Sequence, residues 1–146
     1  MAPAGIGEMK TITTESSEPQ NSAAQERALH LACACARVAD EYRGTETVVL
    51  NLTSVTRIAD YFVITTATSR RQMHAIADES SRMMRKAESE RIGTEGYDGD
   101  TWVLQDYGDV VIHVFNPETR TLYDLEHLWA DAEKIDWQSV PLDDAE

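Results

Sequence analysis

The chain has 146 residues, 42% hydrophobic and 27% charged, which suits one soluble domain able to bury its own core without a metal or a disulfide. Its formal net charge is −13. Such a surface taken whole repels RNA, whose binders need clustered cations, and suits a partner with a basic protein face.

Residues 1–21 hold Pro, Gly, Ser, Thr and Gln with few large apolar groups, and are expected to form a disordered tail. They lack the apolar core of a signal peptide and, with Glu8, Glu15, Glu18 and no arginine, do not read as a transit peptide. No apolar run approaches the ~20 residues of a membrane span, so the expected compartment is the cytoplasm. Ser22 with Gln25 has capping-box spacing, and Ala28, Leu31, Cys35, Val38 and Tyr42 follow as one helical stripe, stopped at Gly44. Cys33 and Cys35 point ~200° apart on that helix, which argues against a disulfide between them. Two lone cysteines do not by themselves make a zinc site, and both read as small residues of a reducing compartment.

Thr47 to Leu52 predicts a first strand. Tyr61 to Thr66 predicts a second, whose unbroken apolar character suggests a central place covered on both faces. Ser69 with Gln72 repeats the capping-box pattern. Met73, Ile76, Ala77, Ser80, Met84 and Ala87 then line one face of a long helix, with Arg82, Arg85, Lys86 and Arg91 late in it and Gly93 at its end. A short extended piece, Thr94 to Gly96, precedes the turn Tyr97-Asp98-Gly99-Asp100. Trp102 to Gln105 and Val110 to Phe115 predict a hairpin around Asp106-Tyr107-Gly108-Asp109. Pro117 closes the second of these strands, Thr121 to Ala132 reads as a turn and a short helix, and Asp136 to Glu146 as a frayed acidic end. The expected architecture is an α/β domain over 22–135, a mixed sheet of about five strands with helices packed on it, followed by an acidic tail over 136–146.

Four groups of residues invite a chemical reading. Asp98 and Asp100 could share a divalent cation, but Asp-Gly is also a common turn sequence for reasons of backbone geometry. Asp106, Asp109 and His113 lie close on the hairpin. There the aspartates suit turn positions, and the histidine, alternating with Val111 and Phe115, suits a packed, hydrogen-bonded site. Thr68-Ser69 precedes a helix N-terminus, a place for phosphate, yet no glycine-rich loop accompanies it and helix capping accounts for Ser69. Arg70, Arg71, Arg82, Arg85, Lys86 and Arg91 are six of the thirteen basic residues. They read as a solvated helix face with at most a weak secondary contact to RNA. Trp102, Tyr107, Tyr123 and Trp129 crowd the last third of the chain beside Asp106, Asp109 and Glu126, which suggests an apolar patch with an acidic rim. With no nucleophile and base pair, metal cluster or phosphate cradle above background, the residues favour a binding module, not an enzyme, and imply no cofactor or metal.

Three runs point further. Asp60-Tyr61-Phe62-Val63-Ile64 is followed by Ser69-Arg70-Arg71-Gln72 and Ala75-Ile76-Ala77-Asp78. Glu95-Gly96 is followed by the run from Trp102 through Gln105-Asp106-Tyr107-Gly108-Asp109 to His113-Val114-Phe115. The last run is Arg120-Thr121-Leu122-Tyr123-Asp124-Leu125-Glu126-His127-Leu128-Trp129. Together they resemble the ribosomal silencing factor (Iojap) family over about residues 24–134, with Ala67 standing where the family commonly has glycine. The resemblance implies a nucleotidyltransferase-like fold without catalysis. It also implies binding to the large ribosomal subunit through ribosomal protein uL14, a steric block to joining of the small subunit, and repression of translation under nutrient limitation. Carried over residue by residue, it places the contact on Trp102, Asp106, Tyr107, Gly108, Asp109 and His113, supported by Arg120, Tyr123, Leu125, Glu126 and Trp129. It further allows a homodimer. Two other readings are a metal-dependent nucleotidyltransferase or nucleotide-binding enzyme using Asp98, Asp100 and Asp106, and an assembly factor for the large subunit.

Overall fold

A computed structural model describes residues 22–141. The expected N-terminal tail and residues 142–146 lie outside them. Helix α1 (Ser22–Glu41) leads into β1 (Thr45–Asn51) and β2 (Tyr61–Thr66), then α2 (Arg70–Lys86), β3 (Gly93–Glu95), β4 (Trp102–Asp106) and β5 (Val110–Phe115). Two short helices, α3 (Pro117–Tyr123) and α4 (Leu125–Leu128), precede a last strand, β6 (Glu133–Ile135). The sheet runs β3-β4-β5-β2-β1-β6. Its one parallel pair, β2 with β5, lies at the centre, and every other pair is antiparallel. The mixed α/β architecture expected from the element order is therefore present, with β6 as an unforeseen sixth strand.

All six residues of β2 and of β5 are buried, because both faces of the sheet are covered. On one face, α1 and α2 pack Ala28, Ala32, Cys35, Met73, Ile76 and Ala77 against Val63, Val103, Ile112 and Val114. On the other, Leu50, Phe62, Ile64, Trp102, Leu104, Val111 and Phe115 form a second core beneath Leu52, Ala59 and Leu125. The alternation read along Val110 to Phe115 thus assigned each side chain to its observed face.

Several boundaries differ from expectation for identifiable reasons. Helix α2 does not run on to Gly93. It ends at Lys86, where Glu88 takes φ 63° and the amides of Glu88 and Ser89 donate to Arg85 and Met84, a Schellman closure made without glycine. Arg91 therefore lies beyond the helix. Ser69 caps α2 as expected, its Oγ accepting the Gln72 backbone amide at 3.0 Å, but Gln72 Oε1 accepts the Thr68 amide (2.8 Å) instead of closing the box on Ser69. At the end of α1 the left-handed residue is Arg43 (φ 69°). Gly44 is needed for space, since a Cβ there would strike Thr65 Oγ1. Pro117 both closes β5 and opens α3, the first turn being capped by Asn116 Oδ1, which accepts the Thr119 amide at 2.8 Å.

The expected fraying after Asp136 does not hold for residues 136–141. Trp137 packs on the α1 side and donates from Nε1 to the Thr47 carbonyl (3.0 Å). Arg37 Nη2 donates to the carbonyls of Trp137 (3.3 Å), Gln138 (3.2 Å) and Val140 (2.7 Å). One arginine of α1 thus straps down the segment that follows β6. No described helix is long and apolar enough to cross a membrane.

Candidate functional site: an exposed ledge over an aromatic core

Three of the four aromatic residues singled out from the sequence, Trp102, Tyr123 and Trp129, come together on the sheet face opposite α1 and α2, and Tyr107 does not. Trp102 packs against Phe115 (ring centroids 4.5 Å) and Tyr123 (5.0 Å), and donates from Nε1 to His113 Nδ1 at 3.1 Å. Phe62 meets His113 edge-on at 4.5 Å and Trp129 at 6.1 Å. Alternation puts Phe62, Trp102, His113 and Phe115 on this face, and the chain after β5 folds back across them.

That covering corrects much of the expected contact list. Trp102 is 1% exposed and His113 0%, and Tyr107 and Leu125 are buried as well. Burial drives the His113 pKa down to about 3, so the ring is a neutral, sealed hydrogen-bond acceptor. Tyr107 lies on the helical side, where its hydroxyl donates to Gln105 Oε1 (3.2 Å) while Gln105 Nε2 donates to the Ala77 carbonyl (3.2 Å). Desolvation raises its pKa. Asp106 serves the turn, its Oδ1 accepting the Gly108 amide at 2.8 Å, and Gly108 supplies φ 89°. The Asp109 carbonyl accepts the amides of Asp60 (2.8 Å) and Tyr61 (3.0 Å), joining the hairpin to β2. Arg120 is turned inward onto Glu126.

What reaches solvent is the outer side of α3 and α4. Leu122 is 75% exposed, Leu128 40% and Tyr123 36%, three of the five exposed large apolar residues among those described. Leu122 also borders a shallow hollow with Pro117, Glu118 and Thr121. Exposed Glu118, Asp124 and Asp131 and half-buried Glu126 stand along the same segment. This segment sets exposed apolar side chains among exposed carboxylates, the composition of a protein interface. Of the expected contacts it retains Tyr123, the half-buried Glu126 and the half-buried Trp129. It adds Leu122 and Leu128, which sequence reasoning missed because two one-turn helices carry no periodicity to tell an outer leucine from an inner one.

The arrangement offers little to a catalytic reading. Asp98 and Asp100 are exposed turn residues, whereas Asp106 holds a backbone amide. Among the described residues, no three His, Cys, Asp or Glu side chains are grouped to hold a metal. Ser69 Oγ is engaged as a helix cap. Cys33 and Cys35 are buried free thiols, both pushed up by desolvation, Cys33 to about 11.

Comparison with known proteins places this geometry in context. Residues 14–146 match the model of a family described as ribosomal silencing factor during starvation. A ribosomal silencing factor of Halalkalibacterium halodurans is 39% identical over 101 residues, covering 69% of this chain and 86% of the relative. A mouse protein named for mitochondrial assembly of the ribosomal large subunit is 43% identical over 76 residues, 50% of this chain and 33% of its own. Among solved structures, a Chromobacterium violaceum protein superposes with a TM-score of 0.66 at 28% identity, covering 82% of this chain and 95% of that one.

Proposed function

This chain belongs to the ribosomal silencing factor family, and on that premise we propose that it binds the large ribosomal subunit through ribosomal protein uL14. Occupying that face keeps the small subunit from joining and lowers translation when nutrients are limiting. The action is steric and stoichiometric, needs no turnover, and takes place in the cytoplasm. The observation that carries the reading is the ledge. An apolar centre of Leu122, Tyr123 and Leu128 with carboxylates around it, on a chain of net charge −13, complements a small basic protein.

A weak secondary contact with ribosomal RNA falls to Arg70, Arg71, Arg85, Lys86 and Arg91, exposed on the other side of the sheet, while Arg82 is paired with Glu79. Homodimerisation through the same ledge would hide it from the ribosome, so a dimer and a ribosome-bound monomer exclude one another in this reading. The mouse relative's name favours a second role, in assembly of the large subunit. Both roles use the same docking step and diverge in whether mature subunits are kept apart.

The test is co-sedimentation with isolated large and small subunits, followed by a subunit-joining assay. The wild-type chain is expected to pellet with large subunits only. Leu122→Asp, which places a carboxylate at the apolar centre, is expected to lose about thirtyfold or more in affinity, the scale of an interface anchor at ~2 kcal/mol. Glu118→Lys is expected to slow association, with the difference shrinking as salt screens it. Equal recovery with both subunits, or unchanged binding of Leu122→Asp, would place docking elsewhere.

A further inference from the structure

The ledge has little regular structure to hold its shape. Helix α4 is a single turn of four residues, far below the length at which a helix stands alone. Asp124, which joins it to α3, has φ 48° and ψ 58°, a left-handed conformation that aspartate adopts more readily than most non-glycine residues, and its side chain makes no capping hydrogen bond to α4. Its carboxylate stands 3.9 Å from an exposed His127, too weak a contact to set the turn. Backbone hydrogen bonds from Asp124 to Arg120 and from His127 and Leu128 to Asp124 shape the turn, and buried Leu125 seats it on the core; a polar tie from outside the turn adds to these.

Arg120 is placed to hold it. The residue is 8% exposed, and its side chain joins three parts of the molecule. Nε and Nη2 donate to the two carboxylate oxygens of Glu126 (3.3 and 3.1 Å), and Nη1 donates to Thr66 Oγ1 at the end of β2 (2.9 Å) and, at 3.5 Å, to the Thr45 carbonyl at the start of β1. The planar fork of arginine allows this bidentate pairing while its third nitrogen reaches the sheet, which an ammonium could not reproduce. Residues 120 and 126 bracket the left-handed turn, so the pair closes a loop around Leu122, Tyr123 and Asp124.

We infer that Arg120 is a positioning residue of the docking ledge, fastening the α3–α4 turn to the sheet through Glu126 and Thr66 without itself meeting the partner. The inference rests on the docking reading above and assigns Arg120 and Glu126 a role that reading alone does not. The two roles make opposite charge predictions. Were both residues direct contacts with a basic partner, removing the arginine cation would relieve repulsion and tighten binding, while removing the carboxylate would weaken it. As a clamp, losing either member weakens binding, and losing both is no worse than losing one.

The experiment uses the full chain and purified large subunits, with Arg120→Met, Glu126→Gln, the double variant, Arg120→Lys and Leu122→Asp. Arg120→Met and Glu126→Gln are each expected to weaken binding about tenfold, ~1.4 kcal/mol. The double variant should match the weaker single, and Arg120→Lys should not restore affinity. In the free variants, amide exchange should quicken across residues 121–129 while β2 and β5 stay protected, a local loosening that general destabilisation would not give. Glu126→Gln keeps side-chain volume at a half-exposed site, so it carries the test if Arg120→Met folds poorly. Wild-type or tighter binding of Arg120→Met or Glu126→Gln, additive losses, or unchanged exchange over 121–129 overturns the inference. If Leu122→Asp loses binding while Glu126→Gln keeps it, the docking reading stands and the clamp alone falls. If Leu122→Asp binds normally, the docking reading falls first.

Discussion

Trp102→Ala is expected to destabilise the fold by ~3–5 kcal/mol, the range for deleting a fully buried tryptophan. The indole packs on Phe115 and Tyr123 and gives its N–H to His113, so truncation leaves a void lined by aromatic rings and a buried imidazole nitrogen without its donor. Urea unfolding measures the loss directly. Trp102→Phe, which refills most of the space, should recover more than half of it. Ribosome binding per folded molecule should change little at temperatures where the variant stays folded. A loss of stability under ~1.5 kcal/mol, together with abolished binding, would restore Trp102 to the contact surface where the sequence had placed it.

Acid should unfold the protein through His113. Its folded pKa is lowered by burial to about 3 from an ordinary 6.5. Between those values the unfolded chain holds a proton that the folded chain refuses, so stability falls as pH drops. Above pH 6.5 the contribution is complete. Below it, the slope from this one group approaches ~1.4 kcal/mol per pH unit, until both states are protonated near pH 3. Asp60 acts the other way, since desolvation and then the neighbouring Asp109 charge raise its pKa, so its protonation favours the folded state in the acid range. His113→Asn removes the titration while leaving an oxygen to accept the Trp102 N–H. Its stability is expected to vary less between pH 6.5 and 4 than that of the wild type. Parallel acid limbs for the two proteins would show that another group controls acid unfolding.

How far these features could be read from the chain depended on whether their cause was local. The central place of β2 was legible in its unbroken apolar run, and the hairpin in the alternation of Val110 to Phe115 and the glycine at its turn. That alternation also put Trp102 and His113 on one face. It could not say that the face would be roofed, because the roof is a pair of helices too short to show periodicity, held by Arg120 reaching a threonine 54 residues earlier in the chain. The end of α2 was misplaced because the left-handed residue there is Glu88, and glycine was the expected marker. The segment after Asp136 looked loose by composition, and contacts with distant residues, Thr47 and Arg37, show otherwise. For the candidate site, tyrosine and tryptophan were the natural anchors to name, yet large aromatic rings are also what a thin sheet domain uses to fill its second core. The leucines left outside them, Leu122 and Leu128, are the ones that reach solvent.

The two outermost strands have a bearing on how the protein survives at high concentration. Each is only three residues long, β3 ending in Glu95 and β6 opening on Glu133 and Lys134. Short, charged margins give another molecule little ladder to extend. Beneath β6 lies β1, whose Val48, Val49 and Leu50 are β-prone and apolar, and whose Val49 and Leu50 pair with Ile135 and Lys134. Were the terminal strand and the Arg37-bound residues behind it to peel away, the uncovered backbone would be a template for intermolecular strand growth. The last described stretch of the chain thus keeps the β1 edge paired, and deleting it is expected to raise aggregation independently of any partner.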